Sequence, residues 1–366
     1  MSDILNITDR FQTAGRAVSY QPYGTGHIHD TFLVNCSTDQ ATQQYIIQKI
    51  NTYVFRWPEI IMKNIFRIAD HLKHKLARPE DPLIIPEPIL TRDGASLTTD
   101  AGGSFYRCFT FIPGTISIDR VEDPSLAFEA ASLFGRFIHE LSDLPPGEIG
   151  ITIPDFHDLG KRYLSFRQAI QSGLPDRKRK AAREIEILEH HDGLSTWYDT
   201  LVSEYGLPER VCHKDTKINN VLIDMQTRKA VCVIDLDTVM PGSILSDFGD
   251  MVRTITNNAE EDEPDTEKVF SNIRIFESLA KGFLRETLPM LKKVEADNLV
   301  FGAKYLTCMQ AVRFLTDYLN GDVYYKTKYE EHNLVRTKNQ IKLLQSIEEQ
   351  EDEMNDFIHE CTSAHS

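Results

Sequence analysis

Residues 211–240 read VCHKDTKINNVLIDMQTRKAVCVIDLDTVM. Two apolar runs, Val221 to Ile223 and Ala230 to Ile234, flank the polar turn Asp224 to Lys229, which predicts a β-hairpin. Just before the hairpin stands His213-x-Asp215-x-x-x-x-Asn220, and its second strand ends at Asp235. That order is the one phosphoryl transfer requires. Asp215 would accept a proton from an attacking hydroxyl and orient it. Asn220 would offer a neutral oxygen to Mg²⁺, and Asp235 a carboxylate. His213 reads as a scaffold fixing the loop through hydrogen bonds. Lys217 could reach a transferring phosphate as a point charge. The competing reading is a plain hairpin after a polar loop, with Asp and Asn as turn formers.

Working outward, the hairpin is an island of strand in a helical region. Helical spacing recurs over Ser125–Leu141, Lys161–Ser172, Arg177–His190, Val269–Arg285, Asn298–Leu319 and Thr337–Cys361. The first hundred residues differ. Ala17–Tyr20, Thr31–Cys36, Gln44–Ile50 and Ser104–Ile112 read as strands, while Pro58–Lys75 has apolar residues at Ile61, Ile65, Ile68 and Leu72, a helical period. The layout is α+β, a two-lobed, kinase-like arrangement. Residues 1–112 form a strand-rich N-terminal lobe for nucleotide, and 113–366 a mostly helical C-terminal lobe for catalysis and acceptor.

The chain has 366 residues, of which 41% are hydrophobic and 26% charged, enough to bury a sizeable core. Its 40 basic and 55 acidic residues give a net charge of −15, which argues against bulk nucleic-acid binding. No run of eighteen apolar residues occurs, and the N-terminus lacks a secretion pattern, so a cytoplasmic protein without a membrane partner is expected. The six Cys, at 36, 108, 212, 232, 308 and 361, form no CxxC and read as reduced thiols. The adjacent His190 and His191 diverge on a helix and read as a helix end.

HKDTKINNVLID…VCVIDLDTVMPG resembles the catalytic core of the aminoglycoside phosphotransferase and choline kinase superfamily. Within it the chain resembles the N-acetylhexosamine 1-kinase branch, through YGTGHIHDTFLV (23–34), YIIQKINTYVF (45–55), FYRCFTFIPGT (105–115), SDFGDMVR (246–253) and RFLTDYLNGDVYYK (313–326). The resemblance implies a protein-kinase-like fold with ATP between the lobes, Asp215 as catalytic base, and Asn220 and Asp235 as metal ligands. Asp237 stands where protein kinases carry the glycine of DFG, which favours the small-molecule kinases.

Gly24-Thr25-Gly26 could cover phosphates with backbone N–H groups or could be a simple hairpin turn; the resemblance favours the phosphate loop. The third glycine of GxGxxG is absent. The register implied by the resemblance puts Gln48 where a phosphate-contacting lysine is usual, with Lys49 on the opposite face of the strand. Glu59 would pair with a lysine if one is used; otherwise it is an exposed first-turn acid.

For the acceptor, Asp247 is either a substrate ligand or a helix cap, and Asp250 with Arg253 reads first as a structural ion pair. Arg313 and Asp317 either pair with each other or turn toward sugar hydroxyls, with Tyr324 and Tyr325 as candidate faces for a sugar ring. The expected activity is an ATP- and Mg²⁺-dependent kinase acting on the anomeric hydroxyl of an amino sugar such as N-acetylglucosamine or N-acetylgalactosamine. Rival expectations are a kinase of the same fold for another small acceptor, and a nucleotide-binding regulator without turnover. No protein partner is evident.

Overall fold

The structure is a computed structural model that describes residues 4–24, 28–75 and 85–363. The chain divides into two units. The first takes in Met1–Ile116, Asp143–Pro154 and Leu222–Pro241. The second takes in Ser117–Ser142, Asp155–Val221 and Gly242–Ser366.

In the first unit, a short helix α1 (Ile4–Thr8) precedes three antiparallel strands, β1 (Arg16–Pro22), β2 (Asp30–Ser37) and β3 (Thr42–Lys49). Helix α2 (Pro58–Lys75) follows, then β4 (Pro88–Ile89), β5 (Thr98–Thr99) and β6 (Phe105–Thr110). The sheet order is β1-β2-β3-β6-β4, with β5 also pairing β6. Strand alternation sends Val34, Cys36, Tyr45, Ile47, Tyr106 and Cys108 to one core, closed by Ile4, Ile7 and Phe11. Each Val, Ile or Phe among them contributes roughly 1.5–3 kcal/mol on burial. Helix α2 starts at Pro58, as its sequence predicts, and buries Ile61, Ile65, Ile68 and Leu72.

The hairpin forms where the sequence places it, Val221–Asp224 with Ala230–Val233, and Thr115–Ile116 extends its sheet. Asp224 Oδ1 accepts from the backbone N–H groups of Gln226 and Thr227, which closes the turn. The sequence boundary at residue 112 assigned 222–241 to the second lobe. The structure groups that segment with the first unit, because the hairpin pairs with Thr115–Ile116.

The second unit is helical. Helix α3 (Pro124–Glu140), capped by Asp123, lies against the helix Ile273–Thr287. Glycine makes this approach possible: a Cβ on Gly282 would sit 2.2 Å from the Phe128 carbonyl oxygen. The helix Ile244–Ile255 crosses Leu299–Leu319 in the same way, with a Cβ on Gly249 falling 2.2 Å from the Gly302 oxygen. Backbone-to-backbone contact thus fixes the helix that carries Asp247 and Asp250.

Two predicted helices are broken. Arg177–His190 is Pro175–Lys180 followed by Ala182–Glu189, and Thr337–Cys361 is His332–Glu349 followed by Glu351–Ser363. The helix Gly193–Ser203 was not anticipated; it buries only Leu201, so its apolar period is weak. Five of the six cysteines are buried and none is disulfide-bonded. No helix among the described residues is long and apolar enough to cross a membrane.

Candidate active site

The loop 213–220 follows the strand Arg210–Cys212 in the second unit. Asp247 holds it from beneath. Its Oδ2 accepts from the His213 backbone N–H at 2.7 Å and its Oδ1 from that of Lys214 at 2.8 Å. Thr216 Oγ1 donates to the Asp247 carbonyl oxygen at 2.6 Å. Burial pushes the Asp247 carboxyl up to about 6, against the pull of His213 and Lys214. His213 is fully enclosed, edge-on to Phe134 and Phe137, and its Nδ1 accepts the Asp215 backbone N–H at 3.3 Å.

Asp215 Oδ2 receives Lys217 Nζ at 2.8 Å and Asn220 Nδ2 at 2.8 Å. Asn220 Nδ2 also donates to the Asp215 carbonyl oxygen at 2.7 Å, so both its hydrogens are committed and Oδ1 is left as the ligand side. Burial would raise the Asp215 carboxyl, but the charge and hydrogen bond of Lys217 outweigh it and hold Asp215 below the usual carboxylate range. Asp215 is therefore ionised at neutral pH, as a proton acceptor must be.

Asp235 lies in the first unit, in the left-handed conformation at φ 60°. Two residues on, Asp237 is enclosed in an ion pair with Arg107, 2.5 Å from Nη1 and 2.9 Å from Nη2. His29 Nε2 approaches Asp237 Oδ2 at 2.6 Å. Because His29 Nδ1 accepts the Asn51 backbone N–H, Nε2 carries the proton and donates to Asp237. Burial opposes ionisation of Asp237, yet Arg107 and His29 hold its carboxyl far below the usual range.

Gln48 extends this network. Its Oε1 accepts from Arg107 Nε at 3.0 Å, and its Nε2 donates to Thr31 Oγ1 at 3.1 Å. Lys49 is half-buried, whereas Glu59 is exposed in the first turn of α2, and no ion pair joins them among the described residues. Gly24 has φ 79°, a turn conformation suited to glycine. Thr25 and Gly26 lie outside the described residues.

A cavity of about 330 Å³ lies within the second unit, and Asp215, Lys217, Asp250, Arg253, Arg313 and Tyr325 are among the residues lining it. Arg313 sits over the rings of Phe156 and Tyr325, 5.5 Å and 5.6 Å from their centroids, and donates to Gln310 at 3.1 Å. No carboxylate pairs with Arg313 among the described residues. The His157 ring is pushed well below its usual pKa, first by burial and then by Lys214, Arg313, Arg253 and Arg162. That part of the wall carries a positive field. Burial pushes the Asp250 carboxyl up, against Arg253, and the charge of Asp215 adds to the rise.

Three acceptor candidates need correction. Asp247 is fully buried with both carboxylate oxygens taken by backbone N–H groups, so it supports the loop and has no oxygen for a substrate. Asp317 does not pair with Arg313. It caps the following turn, accepting from the backbone N–H groups of Val323, Tyr324 and Tyr325 and from Asn333 Nδ2. Tyr324 is 52% exposed and stands edge-on to Tyr325, which lines the cavity in its place. Arg107 and His29 were missed. A lone Arg within the apolar run SFYRCFTFI was the available signal; its partner lies far along the chain.

No group of three or more His, Cys, Asp or Glu able to hold a metal occurs among the described residues. A Mg²⁺ site needs fewer protein ligands, because phosphates and water complete its shell. The spare Oδ1 of Asn220 fits that requirement.

The profile of the phosphotransferase enzyme family matches residues 19–277. Among solved structures, a microcompartment-associated aminopropanol kinase is 16% identical, with a TM-score of 0.61 over 96% of this chain and 98% of that one. A spectinomycin phosphotransferase in complex with ADP and spectinomycin is 12% identical, with a TM-score of 0.57 over 94% and 97%. Choline kinase from Cryptosporidium parvum is 14% identical, with a TM-score of 0.54 over 93% of each chain. At such identities the likeness is one of fold, sheet-rich in the N-terminal region and helical in the C-terminal region.

Proposed function

We propose that this chain, which belongs to the phosphotransferase enzyme family, is a small-molecule kinase whose acceptor is the anomeric hydroxyl of an N-acetylhexosamine. In this reading ATP is the donor and the product is the sugar 1-phosphate. Asp215 takes the hydroxyl proton and orients the oxygen in line with the γ-phosphate. An anomeric hydroxyl is more acidic than an ordinary alcohol, so a carboxylate is a sufficient base. Lys217 keeps Asp215 ionised and would share charge with the transferred group. Asn220 and Asp235 are the residues that would hold Mg²⁺, and the ion would supply positive charge against the phosphates. His213 and Asp247 keep the loop in one conformation. Gly24, Thr25 and Gly26 would cover the phosphates; Gln48 replaces the usual lysine, while Lys49 is half-buried and Glu59 exposed.

The observation that carries the acceptor assignment is the state of Arg313. A cage for a choline-type cation needs open aromatic faces. Here Arg313 already covers the Phe156 and Tyr325 rings, and its unpaired charge repels a second cation. A neutral acceptor with carbonyl and hydroxyl groups suits the remaining guanidinium donors. A cavity of about 330 Å³ is at the low end of ligand sites, which suits a monosaccharide better than a multi-ring aminoglycoside. Turnover of N-acetylglucosamine and N-acetylgalactosamine, compared with that of choline, ethanolamine and aminopropanol, tests the reading. A preference for the amino alcohols would overturn it.

A further inference from the structure

Asp250 is used on one side only. Arg253 donates to its Oδ1 twice, from Nε at 3.0 Å and Nη2 at 2.9 Å. An arginine facing a carboxylate usually engages both oxygens. Here Nη1 turns away instead, to Glu261 at 2.7 Å and Gln340 at 3.4 Å. Asp250 Oδ2 is buried and has no hydrogen-bond partner among the described residues. The side chain is 5% exposed and lines the cavity that also holds Asp215. A buried carboxylate oxygen without a donor is costly, and its retention calls for a ligand that supplies one.

We propose that Asp250 is a specificity-determining residue whose Oδ2 accepts a hydrogen bond from a second O–H or N–H of the acceptor, distinct from the hydroxyl that is phosphorylated. The inference rests on the phosphotransfer reading of the cavity but not on the acceptor being a hexosamine. Arg253 already meets the other oxygen of Asp250, so Oδ2 is the atom left to take a donor from the acceptor. A site built to receive a donor discriminates strongly against analogues that lack it, because its own polar atom is then left unpaired.

Asp250→Asn is the sharpest variant. Arg253 requires an acceptor at the Oδ1 position, so the amide is turned with its NH₂ where Oδ2 stood. The fold keeps its contact while the recognition atom changes from acceptor to donor. The full chain with Mg²⁺ and ATP is assayed on N-acetylglucosamine and its 3-, 4- and 6-deoxy analogues, for wild type and Asp250→Asn. The expected result is a loss of about 10–10³-fold in acceptor kcat/KM for the variant, with ATP KM near that of wild type; losing the charge that faces Arg253 lowers the melting temperature, but the variant stays folded at the assay temperature. One deoxy analogue should show a similar loss on wild type and no additional loss on the variant. Fully additive losses for every analogue, or an unchanged acceptor kcat/KM, would overturn the proposal.

Ethanolamine and choline form the second arm. If no sugar is phosphorylated and an amino alcohol is, the hexosamine reading fails by itself. Asp250 is then judged by the pair, since choline lacks the N–H donors of ethanolamine. A loss for Asp250→Asn on ethanolamine alone supports the proposal, and an equal loss on both overturns it. Absence of turnover with every acceptor overturns both readings.

Discussion

Arg107 and Asp237 meet as a two-point ion pair, Nη1 to Oδ1 at 2.5 Å and Nη2 to Oδ2 at 2.9 Å, with side chains 2% and 0% exposed. They lie 130 residues apart in sequence, and Asp237 is two positions after Asp235. Breaking a buried pair leaves an uncompensated charge, which costs about 3–5 kcal/mol, whereas replacing both members by apolar residues is often close to neutral. Arg107→Leu alone should therefore lower the urea midpoint sharply. Arg107→Leu with Asp237→Leu should recover much of that stability. If the pair positions the metal-binding turn, the double variant will still need several-fold more Mg²⁺ for half-maximal rate. An unchanged Mg²⁺ response in a folded double variant would show the pair to be structural only.

Restoring the lysine usual in such enzymes should harm this one. Gln48 accepts from Arg107 Nε, and a lysine has no acceptor to offer. Gln48→Lys would set an ammonium beside a buried guanidinium and cost roughly 1–3 kcal/mol. Thermal melts of the variant test this; equal or greater stability would contradict the role given to Gln48.

Asp247 and Asp237 give opposite pH dependences. The folded state raises the Asp247 pKa to about 6. Its contribution to stability is therefore fully present below the unfolded carboxylate range and is lost as pH rises through 6. Asp237 is held low, so its contribution is present above about pH 4 and is lost on further acidification. Protonated Asp247 would also lose an acceptor for the loop N–H groups. We predict an acid limb in kcat near pH 6 that disappears in Asp247→Asn, whose rate is lower throughout. Persistence of the limb in that variant would assign it to another group.

Asp317 gathers three successive backbone N–H groups, those of Val323, Tyr324 and Tyr325. Tyr325 in turn supports Arg313. Asp317→Ala should release this turn, raise acceptor KM by about tenfold or more and leave ATP KM unchanged. The tenfold figure corresponds to about 1.4 kcal/mol, of the order of one lost charged hydrogen bond. Equal effects on both Michaelis constants would point to general destabilisation.

The 213–220 loop was legible because its residues are neighbours in sequence. His213, Asp215, Lys217 and Asn220 sit in one short loop, and the hairpin after it carries its own turn chemistry at Asp224. Helix α2 was equally plain, since its four periodic apolar residues are all buried. The acceptor side was harder to read. Asp247 and Asp317 are polar residues in helices, and a sequence does not reveal whether such a carboxylate meets a ligand or a backbone N–H. Both serve backbone here. Arg107, His29 and Asp237 come together only through sheet pairing and the return of 222–241 to the first unit, a long-range fact without a local signature.

The central claim is transfer of the γ-phosphoryl group to an anomeric oxygen with Asp215 as base. Phosphorus NMR of the purified protein with Mg²⁺, ATP and N-acetylglucosamine or N-acetylgalactosamine, in separate tubes, tests it directly. The account predicts a new phosphate resonance coupled to the anomeric proton, together with ADP. In Asp215→Asn that signal should grow about 10²–10⁴-fold more slowly. Intact ATP in both tubes, or a phosphate coupled to a different sugar proton, would contradict the acceptor. An unslowed signal from Asp215→Asn would contradict the base.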